Sequence, residues 1–224
     1  DKWVLSRLNT LIAYVDKCLS EYKITEPARE IQAFVDELSN WYVRRCRERY
    51  WGGGMTEDKK AAYMTLYTVL ETLSRLCAPF IPFMSESIYR NIVVSVNKNA
   101  PESVHLCDFP KSDASMIDEE LEKGMELVLT AANLGRAARN GAAIKNRQPL
   151  SRIILCGSDA SSISEDLAAV LEGELNVKAI EFADSADKYI GYEVKPQLRT
   201  VGPKYGKLLG GIRERLASHA DEAV

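Results

Sequence analysis

At 224 residues, against a usual domain size of about 150, the chain has room for one large domain or two modest ones, each with a real core. Hydrophobic residues at 46% and charged residues at 27% are ordinary globular values, which excludes a disordered, collagen-like or coiled-coil chain. A net charge of −3, split as +1 over residues 1–111 and −4 over residues 112–224, excludes a globally basic nucleic-acid coat, so any phosphate binding must come from local clusters.

Residues 3–22 carry Val4, Leu8, Leu11, Ile12, Val15, Leu19 and Tyr22 at three- and four-residue steps, which predicts an amphipathic helix. A second helix is predicted from Thr25, whose hydroxyl can cap free amides, past a tolerated Pro27 to about Trp51. Its stripe is Ile31, Phe34, Val35, Leu38, Trp41 and Tyr42. Gly52, Gly53 and Gly54 break it, Thr56 recaps with Glu57 and Asp58 at the positive end of the dipole, and Ala62, Leu66, Val69, Leu70, Leu73 and Leu76 mark a third helix. Pro79 and Pro82 punctuate its exit before a short fourth helix over residues 85–94. Four helices with such short connections predict an antiparallel bundle.

The alternating run 103–110 ends in proline and reads as an extended segment closing a first unit, residues 1–111. Ser115 with Asp118 three residues on resembles a capping box, opening a fifth helix with Ile117, Leu121, Val128 and Ala132 that stops at Gly141. Beyond Pro149 come β-rich runs at 152–156, 177–183 and 188–194, separated by a Ser-rich cap and a helix at 165–172. A last helix from about Lys204 carries Leu208, Leu209, Ile212 and Leu216, with a frayed tail from Ser218. Residues 112–224 therefore read as a connecting helix plus a small α+β domain, and the fold class expected is mainly α.

No apolar stretch approaches the ~18 residues of a membrane span and no charged-then-apolar leader opens the chain, so a cytoplasmic chain with no membrane partner is expected. Five cysteines, odd in number and far apart, with no C-x-x-C pair and only His105 and His219 beside them, suit neither zinc nor a disulfide framework. They read as small hydrophobes in a reducing compartment.

Catalytic signatures are missing. There is no G-x-G-x-x-G, G-x-S-x-G or H-E-x-x-H, and GPKYGK at residues 202–207 has too little between its glycines for a phosphate-cradling loop and is followed by Leu208. Two basic constellations stand out instead. The first is Arg44, Arg45, Arg47 and Arg49 with Tyr50 and Trp51. On a regular α-helix Arg45 and Arg49 lie within about 20° of Leu38, so two arginines continue the core stripe and need either acids of a neighbouring helix or an external anion. The second is Arg136, Arg139, Lys145, Arg147 and Arg152, in a stretch from 127 to 158 with no acidic residue, with Arg139 on the apolar line of Val128 and Ala132. Its partners are tertiary contacts or a polyanion, and Asn146 and Gln148 add groups able to bond phosphate or base edges. Arginine beside aromatics suits structured RNA, where loop bases stack on Trp or Tyr while guanidinium groups hold the backbone; Trp3, Trp41 and Trp51 are the indoles available, Trp41 fitting core packing best.

At these residues the chain resembles the C-terminal part of the isoleucyl-tRNA synthetases, class I aminoacyl-tRNA synthetases. The segments that carry it are DKWVLSRLN at the start, FVDELSNWYVRRCRERYW from Phe34, APFIPFMSE from Ala78, SVHLCDFP from Ser103, IKNRQPL from Ile144 and VKPQLRTVGPKYGK from Val194. The last resembles the archaeal and eukaryote-like branch, which some bacteria also carry. The resemblance implies a helical anticodon-binding domain and the start of a C-terminal α+β domain belonging to a larger ligase that uses ATP and magnesium. The His-Ile-Gly-His and Lys-Met-Ser-Lys-Ser signatures of adenylate chemistry are missing here, so no cofactor and no catalysis are expected of these residues alone. Nor are the paired cysteines of a terminal zinc module present.

The partners implied are the tRNA for isoleucine and the catalytic domain. The candidate tRNA-binding residues are Arg44, Arg47, Arg49, Trp51, Arg136, Arg139, Lys145, Arg147 and Gln148, while Trp41, Arg45 and Pro149 equally suit the junction with the catalytic domain. Two other classes remain open at this point. A structural module would pair the arginines with acids such as Asp36, Glu37 and Glu86, and a protein–protein adaptor would show a contiguous apolar patch of several hundred Å².

Overall fold

The computed structural model describes residues 1–157, 163–186, 189 and 196–218. It divides into two compact units, Asp1–Glu126 and Leu127–Val224.

In the first unit, α1 (Lys2–Ser20) buries Val4, Leu8, Leu11, Ile12 and Val15 and packs on α2 (Thr25–Glu37) and on α4 (Glu57–Cys77). It stops before the sequence pattern does. Tyr22 lies past the helix end at φ +60° and is 93% exposed, so it is no core residue. Thr25 is the first residue of α2 and its hydroxyl caps nothing, the cap position falling on Ile24; Val35 faces outward.

The predicted run to Trp51 is helical but irregular. Leu38–Val43 is π-helical, with amide bonds reaching back five residues instead of four. The wider turn absorbs one extra residue, so the buried seam passes from Leu38, Trp41 and Tyr42 to Cys46, and Arg45 is carried to the surface. The short α3 (Arg47–Trp51) then packs against α4, whose N-terminus is capped as expected, Thr56 accepting from the Lys59 amide.

α5 (Pro82–Tyr89) starts three residues earlier than the pattern suggests, because Pro82 itself is the pre-set first residue of the helix. A further π-helical turn follows at Arg90–Val94. Tyr89, Val93 and Val104 form a small core there. The run 103–110 is no strand: the Ser103 hydroxyl caps a 3-10 turn at Val104–Leu106, and the Val104 amide, which a β ladder would need, donates to Glu86. Ser115 likewise opens no helix. Asp113 takes its amide and hydroxyl in a 3-10 turn, and Asp118 caps α6 (Glu119–Gly141) by accepting from the Leu121 amide. Arg7 of α1 binds Glu30 and Glu37 of α2 and lies 3.8 Å from Glu122, which also accepts from Ser6 and Thr10, so one ionic knot fastens α1, α2 and the start of α6.

The second unit holds most of α6, then β1 (Ile153–Cys156), α7 (Glu165–Leu175) and β2 (Ile180–Ala183). The strands pair in parallel, from Ile153 opposite Ile180 to Cys156 opposite Ala183, and Leu150 bridges Val177 just ahead of them. A parallel pair needs a crossover, and α7 supplies it, capped by Ser164 and stopped at Asn176 in the left-handed conformation at φ +50°. The strand expected at 188–194, Tyr189 excepted, and the tail beyond Ser218 lie outside the described residues. The last helical region begins earlier than Lys204, as α8 (Leu198–Tyr205); Pro203 removes one amide from it, a 3-10 turn follows at Gly206–Leu208, and α9 (Leu209–Ser218) resumes. The outcome is a helical unit followed by a small α+β unit.

Candidate nucleic-acid interface

The first basic cluster lies where the π-helical turn rotates the chain. Trp41 is buried, as its position in the seam requires, and two guanidinium groups lie over its ring, Arg44 at 5.9 Å and Arg45 at 5.5 Å from the centroid. Both arginines are exposed, and Arg44 is steadied by donating from Nε to the Asn40 carbonyl at 2.8 Å. One turn on, Arg47 sits 5.8 Å from the centroid of Trp51, an indole 78% exposed at the end of α3 where the glycines begin. Such an arginine–indole pair offers a flat apolar face and a delocalised charge to the same ligand.

Arg49 behaves differently. It forks onto Asp1 at 2.7 and 2.8 Å and donates from Nε to Asp58 at 2.9 Å, with Cys46 and the Asp58 carbonyl also in reach. The inward arginine has found acids of neighbouring helices, not an external anion, although neither is among the acids Asp36, Glu37 and Glu86 that the sequence offered. Glu37 serves Arg7, and Glu86 takes Ser103, Val104 and, at 3.9 Å, Arg90. Tyr42 donates to Asp1 at 2.6 Å, and burial pushes its phenol well above the ordinary range. Lys59, missed in the sequence, donates from Nζ to the Gly52 carbonyl at 2.7 Å and ties the glycine turn beside Trp51 to the first turn of α4. Its position three residues after the Thr56 cap was the only available signal.

The second cluster divides in the same way. Arg136 ion-pairs with Glu174 of α7, itself nearly buried, and Arg152 with Glu181 at 2.9 Å. Arg139 is buried and donates to four backbone carbonyls. The absence of acids nearby in sequence is thus made good by acids and carbonyls distant in sequence, and Arg139 is not placed to meet a ligand directly. Lys145, Arg147 and Gln148 are exposed, and their side chains make no hydrogen bond or ion pair with another described residue. Asn176 holds this loop through Nδ2 to the Asn146 carbonyl at 3.2 Å. An asparagine just past a helix end was its signal.

Among the described residues no group of histidine, cysteine or carboxylate side chains is placed to hold a metal ion, and no helix is long and apolar enough to cross a membrane. His105 is exposed on the 3-10 turn after Ser103.

Residues 1–154 match the family model described as the anticodon-binding domain of tRNA ligase. The chain is 50% identical over 218 residues to an isoleucine–tRNA ligase of Clostridium novyi and 51% identical to that of Clostridium acetobutylicum, covering 97% of this chain and 21% of each relative. It is 41% identical over its whole length to 20% of the isoleucine–tRNA ligase of Bacteroides thetaiotaomicron. The chain therefore spans about a fifth of the length of the curated relatives it matches. It belongs to the family of anticodon-binding domains of tRNA ligases, and its similarity, along nearly all its length, is to the isoleucine–tRNA ligases.

Proposed function

We propose that this chain docks the tRNA for isoleucine by its anticodon stem-loop, as one part of a ligase that joins isoleucine to that tRNA. The observation that carries the reading is the Arg47–Trp51 pair, an exposed indole with a guanidinium 5.8 Å from its centre, beside Arg44. An unstacked anticodon base can lie on the indole while arginines meet phosphates, so stacking selects and charge supplies affinity. Lys145, Arg147 and Gln148 form a second set of contacts to the RNA backbone in this reading. Arg49, Arg136 and Arg139 support these contacts from within the fold instead of touching RNA.

Binding free energy gained at the anticodon positions the distant acceptor end for chemistry elsewhere in the ligase. The catalytic domain, with its ATP and magnesium, belongs in this reading to the part of the ligase outside these residues. A bracing role has specific support for Arg49, Arg136 and Arg152, each of which meets a carboxylate. The test is binding of the chain to isoleucine tRNA and to an anticodon-swapped version across a salt series. Preference for the native anticodon with a steep fall in affinity at higher salt is expected. Equal binding of both would remove base selection, and no binding at low salt would overturn the reading for this chain.

A further inference from the structure

Arg139 presents an unusual electrostatic arrangement. It is 4% exposed, and among the described residues no carboxylate pairs with it. A buried guanidinium is costly unless its donors are satisfied, and here backbone carbonyls do this. Nη1 donates to Lys145 at 3.1 Å and Gln148 at 3.0 Å, and Nη2 to Leu175 at 2.7 Å and Asn176 at 3.2 Å. Leu175 ends α7 and Arg139 itself lies in the last turn of α6, so one cation serves the negative ends of two helix dipoles.

Gly135, one turn earlier on α6, makes the approach possible. A Cβ there would lie 2.6 Å from Leu175 Cδ1. Further bonds fasten the loop that follows: the Ile144 amide to the Arg139 carbonyl, the Gln148 amide to the Lys145 carbonyl, Asn176 Nδ2 to the Asn146 carbonyl and the Leu150 amide to the Asn176 carbonyl. The carbonyls of Lys145 and Gln148 are engaged with Arg139, while the side chains of Lys145, Arg147 and Gln148 are exposed with no described partner.

We propose that Arg139 is a positioning residue that preforms residues 145–148 as a docking loop for RNA backbone phosphates, without itself touching the RNA. The proposal rests on the tRNA-binding reading above. A preformed loop binds without the cost of ordering it on contact, so Arg139 acts through Lys145 and Arg147.

The test measures binding of isoleucine tRNA across a salt series by the unmodified chain, Lys145→Ala/Arg147→Ala, Arg139→Lys, Asn176→Gly and the triple variant Arg139→Lys/Lys145→Ala/Arg147→Ala, with thermal unfolding in parallel. Removing the two cations should weaken binding about tenfold at low salt and make the log affinity against log salt slope shallower by about 1.5. Arg139→Lys should weaken binding and shallow the slope in the same sense, and should add no more than about twofold to the loss in the triple variant. Asn176→Gly keeps the left-handed backbone accessible, frees the Asn146 carbonyl and should weaken binding about threefold.

Binding unchanged by Arg139→Lys and by Asn176→Gly, with the two-cation variant weakened, would overturn the positioning role and leave the RNA reading standing. Additive losses in the triple variant would also overturn it, because Arg139 would then act by its own route. Wild-type binding by the two-cation variant would overturn this loop as an RNA surface. If Arg139→Lys does not fold, Asn176→Gly decides.

Discussion

Gly135 of α6 and Leu175 of α7 approach so closely that a methyl group on the glycine would stand 2.6 Å from one leucine Cδ and 2.9 Å from the other. Leu175 is 2% exposed, so its side chain can give way only by repacking against its buried neighbours. Gly135→Val is expected to destabilise the chain by about 2 kcal/mol, the overpacking cost exceeding the gain from removing a helical glycine. Urea unfolding of the variant checks this; an unchanged midpoint would show that the helices separate freely.

Arg49 was a candidate RNA contact in the sequence and is a brace in the structure, joining Asp1, α3 and Asp58 of α4. Its side chain is about one-quarter exposed and Asp58 more so, which limits the ion pairs to modest stability. Arg49→Ala should lower stability by about 1 kcal/mol and leave the salt dependence of tRNA binding as it was. A shallower salt slope with unchanged stability would return Arg49 to the RNA surface.

Trp51 has the opposite profile. With 78% of its surface exposed it contributes little to packing, so Trp51→Ala should leave the unfolding midpoint within about 0.5 kcal/mol. Loss of one stacked base is worth about 1–3 kcal/mol, so tRNA affinity should fall roughly tenfold or more. Paired unfolding and filter-binding measurements separate the two effects, and a stability loss without an affinity loss would make Trp51 a packing residue.

Acid should loosen the contact between α5 and the 3-10 turn after it. The Val104 amide donates to the Glu86 carboxylate, as does the Ser103 hydroxyl, both at 2.9 Å, and these hold the carboxyl below the ordinary glutamate range. A group depressed on folding contributes stability that is present above its unfolded value, about 4.3, and lost as pH falls through its folded value. Unfolding measured from pH 7 to pH 3 should show this loss in the native chain and a flatter dependence in Glu86→Gln.

Cysteine labelling should follow burial. Cys77 is buried and its thiol is pushed up to about 11 by desolvation, so thiolate at neutral pH is scarce and shielded, while Cys156 is exposed. Iodoacetamide followed by peptide mapping should modify Cys156 well before Cys77. The reverse order would mean that the helical unit opens readily around α4.

Local physics in the sequence was enough to place most of the helices, though not every start, because their signals are local: the Thr56 cap, the Gly52–Gly54 break, the period of Val4, Leu8, Leu11 and Val15, the stop at Gly141 and the β-rich and helical runs around α7. The basic clusters were legible for the same reason, since charge density is a property of neighbours in the chain. Which of those cations faces solvent was not local. A π-helical turn at Leu38–Val43 moved the seam from Arg45 to Cys46, an error that any strict 3.6-residue projection must make. Arg49 met Asp1 and Asp58, nine and more residues away, and Arg139 met carbonyls 36 and 37 residues away. A charge is satisfied by whatever lies within about 3 Å of it, and that neighbourhood exists only once the helices have packed. Composition and periodicity therefore determined the helical unit, the small α+β unit and the places where cations gather, while tertiary packing decided which cations brace the fold and which lie at the surface.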